Sequence, residues 1–286
     1  MTEMSAPKAH MHPSLTHAGR PSTTSAVAVD EYGQQIEKSI ACERPLTIYL
    51  NKREIVTLMT LGTHPELLTL GYLRNQDLVD DISLIESVQV DWEVNAVAVS
   101  APGLNIDLEA RLARRTVTTG CGQGTVFGHI MDKLAGIHVR PPRFGQSALY
   151  ALLRNLAAYN ETYKAAGGVH GCALCEGGEV RVFIEDVGRH NAVDAIAGRM
   201  WLEGSSGHDK VFYTTGRLTS EMVIKVAQMQ IPILISRSGI TEMGLDIARR
   251  VGVMLVSRAK GKHFLVFSAA DRFDFDVELA PRSPRA

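Results

Sequence analysis

Residues 211–257 read VFYTTGRLTSEMVIKVAQMQIPILISRSGITEMGLDIARRVGVMLVS. Three short apolar runs, 211–214, 231–236 and 254–257, have the length and β-branched content of strands buried on both faces. The two segments between them, 219–230 and 241–251, repeat apolar residues at helical spacing. Strand, helix, strand, helix, strand predicts a sheet covered by helices on both faces. Thr219 and Thr241 stand where a hydroxyl can cap each helix.

The pattern extends outward from there. Upstream lie a strand at 180–184 and a helix at 190–201. Another helix begins near Ser147 and carries Leu149, Leu152, Leu153, Leu156 and Tyr159 on one face. Downstream, 264–267 adds a strand. The fold class is therefore α/β, with a three-layer C-terminal domain over 143–278. Nearer the start, 46–50 and 54–58 flank Asn51-Lys52 as a hairpin. Thr63-His64-Pro65-Glu66 reads as a capping box with Pro in the first turn, ahead of a short apolar helix. Two more strands at 88–92 and 96–100 complete a small α+β domain over 36–115. Residues 1–35 contain His10, His12, His17 and much Ser and Thr without hydrophobic period, and are expected to be a disordered tail. Residues 116–142 form a loop and linker, and 279–286 a second tail.

Composition narrows the function. The chain has 286 residues, 45% hydrophobic and 21% charged, with a net charge of -1. Nothing global points to nucleic acid, so anion binding must come from local basic clusters. No apolar run approaches the roughly eighteen residues of a membrane span, and no signal h-region is visible, so a cytoplasmic location is expected. Four cysteines, Cys42, Cys121, Cys172 and Cys175, are too few for a disulfide scaffold.

Cys121 is the strongest chemical candidate. Gly120, Gly122 and Gly124 clear side chains around it, and Arg111, Arg114 and Arg115 upstream favour the thiolate, the reactive form. The alternative is a cysteine that simply sits in a glycine-rich loop. Cys172-Ala173-Leu174-Cys175, after His170, fits a metal knuckle, a dithiol pair or two buried structural thiols. Cys42 reads as structural. The H-x-E and P-C-x-x-C combination of zinc deaminases is absent, and no resident metal is expected.

A third signal lies at the strand-to-helix junctions. Each carries an arginine: Arg189 and His190 in 185–191, Arg217 in 214–221, and Arg237 in 236–241. Ligands of open α/β sheets bind beyond the carboxyl ends of the strands, where helix N-termini attract phosphate. Arg258-Ala259-Lys260-Gly261-Lys262-His263 adds basic groups between the last two strands.

These residues resemble the formate dehydrogenase accessory sulfurtransferases, the FdhD-type proteins, over about residues 37–267. The match rests on Gly120-Cys121-Gly122, Gly168-Val169-His170, EDVGRHNAVD at 185–194, and Arg217 with Glu221-Met222-Val223. The resemblance implies a sulfur carrier. A cysteine desulfurase of the IscS type would load sulfane sulfur onto Cys121. The persulfide would then serve the bis-guanine-dinucleotide form of the molybdenum cofactor before its insertion into formate dehydrogenase apoprotein. It further implies a C-terminal domain resembling the cytidine deaminase fold without its zinc, a homodimer, and cofactor binding by Arg258, Ala259, Lys260, Gly261, Lys262 and His263. The family loop commonly reads C-G-x-C-G, whereas position 124 is glycine here, and Gly261 stands where a proline is expected. A second reading is a non-catalytic chaperone that binds the same cofactor.

Overall fold

The computed structural model describes residues 12–105, 116–117, 124–125, 134 and 136–278. The N-terminal part comprises β1 (Ser14–Leu15), β2 (Thr23–Val29), β3 (Gln35–Ala41), β4 (Arg44–Leu50), β5 (Arg53–Thr60), α1 (Pro65–Asn75), β6 (Ser87–Asp91) and β7 (Ala96–Ser100). Its sheet has the order β1-β6-β7-β4-β5. The β4–β5 hairpin turns where the sequence predicts. Asn51 and Lys52 both take positive φ, 49° and 69°, the geometry of a tight hairpin turn.

Two local expectations are corrected. Residues 12–35 are not a disordered tail: Ser14–Leu15 pairs with β6, and Thr23–Val29 forms a hairpin with β3. Polar and small residues suffice because backbone pairing, not burial, defines these strands. The capping box at Thr63 does not form either. The N-cap is His64 without a side-chain bond, and Glu66 Oε1 instead accepts from the Ala18 amide at 2.7 Å. A strap unseen in the local pattern competes for the carboxylate.

β8 (Thr116–Val117) and β9 (Gly124–Thr125) pair antiparallel. Then come β10 (Phe144–Gly145), α2 (Gln146–Leu156), α3 (Glu161–Ala166), β11 (His170–Glu176), β12 (Glu179–Asp186) and α4 (Arg189–Leu202). β13 (Lys210–Thr214), α5 (Ser220–Gln228), β14 (Ile233–Ser236), α6 (Glu242–Val251), β15 (Met254–Lys260), β16 (His263–Val266) and β17 (Phe273–Asp274) follow. The C-terminal sheet has the order β12-β11-β13-β14-β15-β16, with β13, β14 and β15 parallel. Alternation along the strands divides its side chains. Cys172, Leu174, Phe212, Leu234 and Leu255 join a core with α4, α5 and α6, while Ala173, Cys175, Tyr213, Ile235 and Val256 join one with α2. Helices therefore cover both faces, and the α/β class holds. Thr241 caps α6 by accepting from the Gly244 amide at 3.3 Å, whereas the Thr219 hydroxyl is buried without a partner and does not cap α5. Ser147 does not cap α2 either: its amide and hydroxyl both donate to Asp276. Among the described residues, no helix is long and apolar enough to cross a membrane.

The two sheets share one apolar core, running from Leu46 and Tyr72 through Ile196 to Ile247. α1 packs on α4 through two glycines. A Cβ at Gly71 would collide with the Asp194 carbonyl, and one at Gly198 with the Leu67 carbonyl. Neither helix could approach so closely with larger residues at these points.

Candidate functional site

The carboxyl ends of β12, β13, β14 and β15 lie along one edge of the C-terminal sheet, with the start of β11 among them. Each contributes polar groups because its side chains there leave the sheet and meet the next helix. Arg217 and Arg237 are exposed at this edge. Arg258 is exposed as well, with φ 52°, and its amide donates to the Ser238 carbonyl at 3.0 Å. That bond places the basic segment next to the β14 junction. Beyond it Lys260, Gly261, Lys262 and His263 are exposed around the β15–β16 turn, which Tyr150 Oη anchors by donating to the Lys262 carbonyl at 2.9 Å. Ala259 faces inward and is buried.

Arg189 and His190 sit deeper than the sequence suggested. Arg189 is 5% exposed, and its stem runs beneath Gly216, where a Cβ would lie 2.5 Å from Arg189 Cδ. His190 is buried, with Nε2 3.5 Å from Glu221 Oε2. Burial pushes its pKa down to about 3, against the attraction of Glu221 and with help from Lys225, Arg189 and His170, so the ring is neutral. Lys225 Nζ lies 2.8 Å from Asp194 Oδ2 and 3.3 Å from Glu221 Oε1, and Asn75 donates to Asp194 Oδ1 at 2.7 Å. The stretch 185–194 thus has structural duties. Glu185 accepts from the Thr162 and Tyr163 amides and starts α3; Asp186, Asn191 and Asp194 bind the N-terminal part.

A cavity of about 350 Å³ opens at the same edge, lined by Asn160, Tyr163, Val169, His170, Thr215, Arg237 and Ser238. Sequence reasoning did not place Asn160, Tyr163, Thr215 or Ser238 in a site. Thr215 and Ser238 could have been found within their junctions, but α3 left no periodic signal. His170 carried only the motif. Its pKa is lowered, chiefly by burial and then by the charges of Arg189 and Arg217. The edge is thus equipped to hold an anion.

Cys121 and the upstream Arg111, Arg114 and Arg115 lie outside the described residues. Cys121 falls in the segment joining β8 and β9. The other thiols are described. Cys172 and Cys175 face opposite sides of β11 and cannot act as one knuckle or redox pair. Burial pushes each thiol up to about 12, for Cys172 against a 3.3 Å hydrogen bond to Thr214. They are inert, structural thiols. Cys42 is buried too.

The model of the FdhD/NarQ family matches residues 41–274, nearly all of the fold just described. The chain belongs to this family. It is 31% identical over 242 residues to "Sulfur carrier protein FdhD" of Listeria monocytogenes serotype 4b (strain F2365), spanning 84% of this chain and 93% of that protein. It is 29% identical over 239 residues to the protein of the same description in Bacillus subtilis (strain 168), covering 83% and 91%. A crystal structure described as that of a formate dehydrogenase accessory protein from Desulfotalea psychrophila superposes with a TM-score of 0.69. It is 28% identical and covers 88% of this chain and 98% of that one. Family membership supports the sulfur-carrier reading.

Proposed function

We propose that this FdhD/NarQ family member is a sulfurtransferase that carries sulfane sulfur on Cys121 for formate dehydrogenase maturation. The donor is a cysteine desulfurase of the IscS type. The Cys121 thiolate attacks the terminal sulfur of the donor's persulfide. One S–S bond forms as the donor's breaks, the donor cysteine leaves as thiolate, and no net oxidation occurs. The acceptor is the bis-guanine-dinucleotide molybdenum cofactor, a transient cargo that passes on to formate dehydrogenase apoprotein. Its pyrophosphates would be held by Arg217, Arg237 and Arg258, with Ala259, Lys260, Gly261, Lys262 and His263 beside them and Arg189 and His190 beneath. The carrier would work in the cytoplasm as a homodimer, and its deaminase-like C-terminal domain would need no metal of its own. With Gly124 in place of a second loop thiol, Cys121 carries the sulfur alone.

The observation that carries this reading is family membership across residues 41–274, together with three exposed arginines and a cavity at one sheet edge. The inertness of Cys172 and Cys175 supports it by removing two competing thiols. The same edge also suits a carrier that only chaperones the cofactor. The Cys121→Ala variant separates the two readings. Sulfur transfer predicts loss of formate dehydrogenase activity while nucleotide binding persists. Full activity with this variant would favour the chaperone.

A further inference from the structure

None of the roles above uses His170, yet it stands on the basic edge. It opens β11, its Nδ1 lies 3.4 Å from Thr215 Oγ1, and it walls the same cavity as Arg237 and Ser238. Thr215 is fixed in turn, since its hydroxyl accepts from the Gly171 amide at 3.0 Å and its amide donates to the Gly171 carbonyl at 2.9 Å. Several other charged or titratable groups surround this wall. Arg189 and His190 come from α4, Arg217 from the β13–α5 junction, Arg237 from the β14–α6 junction, and Tyr163 from α3. Cys172 follows on the same strand as a buried thiol. The acids of the neighbouring strand are engaged elsewhere. Asp186, opposite His170 in the β-pairing, accepts from Thr60, Leu61, Gly188 and Asn191, and Glu185 caps α3.

We propose that His170 is the proton-linked donor of a pyrophosphate subsite in this cavity, taking up a proton as the anion binds. The inference rests on the nucleotide-site reading above and adds to it a residue and a linkage. In the free protein, burial and two guanidinium groups hold the imidazole neutral near neutral pH. A bound pyrophosphate offsets the arginine field and offers the ring an acceptor oxygen, which raises its proton affinity. The free-state value lies below the ordinary one of about 6.5, and the bound-state value lies above the free one. Binding therefore tightens as pH falls through the bound-state value and levels off below the free-state value.

The test is calorimetric titration of the full chain with GDP-mannose, in two buffers of different ionisation enthalpy. A pyrophosphate esterified at both ends keeps its charge between about pH 5.5 and 8, so any proton taken up belongs to the protein. Wild type should bind a few-fold more tightly near pH 6 than near pH 8, with proton uptake, and the gain should level off only below the free-state value. His170→Gln should lose both the uptake and the low-pH gain. His170→Lys should bind tightly at both pH values without uptake. Circular dichroism would confirm that each variant is folded, which the half-buried position at a strand start allows. Equal pH dependence in His170→Gln would overturn the role of His170 and leave the nucleotide reading standing. Binding of ADP-ribose with the same uptake, without binding of GDP-mannose, would keep the subsite and remove guanine recognition. No binding of either ligand would overturn both.

Discussion

Thr60 and Asp186, 126 positions apart in the chain, meet at 2.5 Å in the buried seam that joins the two sheets. The same carboxylate accepts from the Leu61 amide at 3.1 Å, the Gly188 amide at 3.1 Å and Asn191 Nδ2 at 2.7 Å. Asn191 Nδ2 also donates to the Met59 carbonyl at 2.7 Å. One short segment thus clasps the end of β5. Asp186→Ala would strand several buried donors and should cost about 3 kcal/mol in urea denaturation. A loss below about 0.5 kcal/mol would show that water replaces the clasp.

Gly71→Ala should be at least as damaging. The added methyl group meets the backbone of α4, which cannot move aside as a flexible side chain would. Separating the two helices at their closest approach should cost about 3 kcal/mol and lower the thermal midpoint. Unchanged stability would mean that α1 and α4 do not pack so closely.

The buried His190 makes stability depend on pH with a definite sign. Its folded-state pKa is pushed down to about 3, so the unfolded chain takes up the proton first as acid is added. Its contribution is complete above about pH 6.5 and is lost as pH falls towards the folded value, by at most about 1.4 kcal/mol per unit. Denaturation midpoints measured between about pH 7 and 4 should fall less steeply in His190→Gln than in wild type. Parallel curves would contradict the neutral, buried ring.

Lys225→Met should destabilise by about 3–5 kcal/mol, because it leaves Asp194 and Glu221 buried without their ammonium partner. The Lys225→Met, Asp194→Asn double variant should recover part of that loss. A single variant as stable as wild type would show the ion pair to be dispensable.

Thiol labelling gives a further check. Iodoacetamide at about pH 8 should leave Cys172 and Cys175 unmodified in the native protein, since their thiols are pushed up to about 12 and shielded. Peptide mapping that finds either one alkylated before unfolding would reopen a reactive role for the pair.

The parts of the fold legible in sequence are those whose determinants are local. The 211–257 alternation, the Asn51-Lys52 turn and the Thr241 cap each depend on residues a few positions apart. The misread parts take their partners from far away. Ser14–Leu15 is a strand because β6 supplies its hydrogen bonds, and α3 is a six-residue helix whose first amides bind Glu185. Glu66 turns from capping its own helix to holding Ala18. At the site, arginines recurring at the junctions indicated the edge. The burial of Arg189 beneath Gly216 depends on two junctions packing together, which spacing cannot reveal.

The measurement that bears most directly on the sulfur-carrier account is the intact mass of the protein after incubation with a cysteine desulfurase and cysteine. Wild type should gain one sulfur atom, released by reductant, and Cys121→Ala should gain none. The same gain in Cys121→Ala would contradict the account.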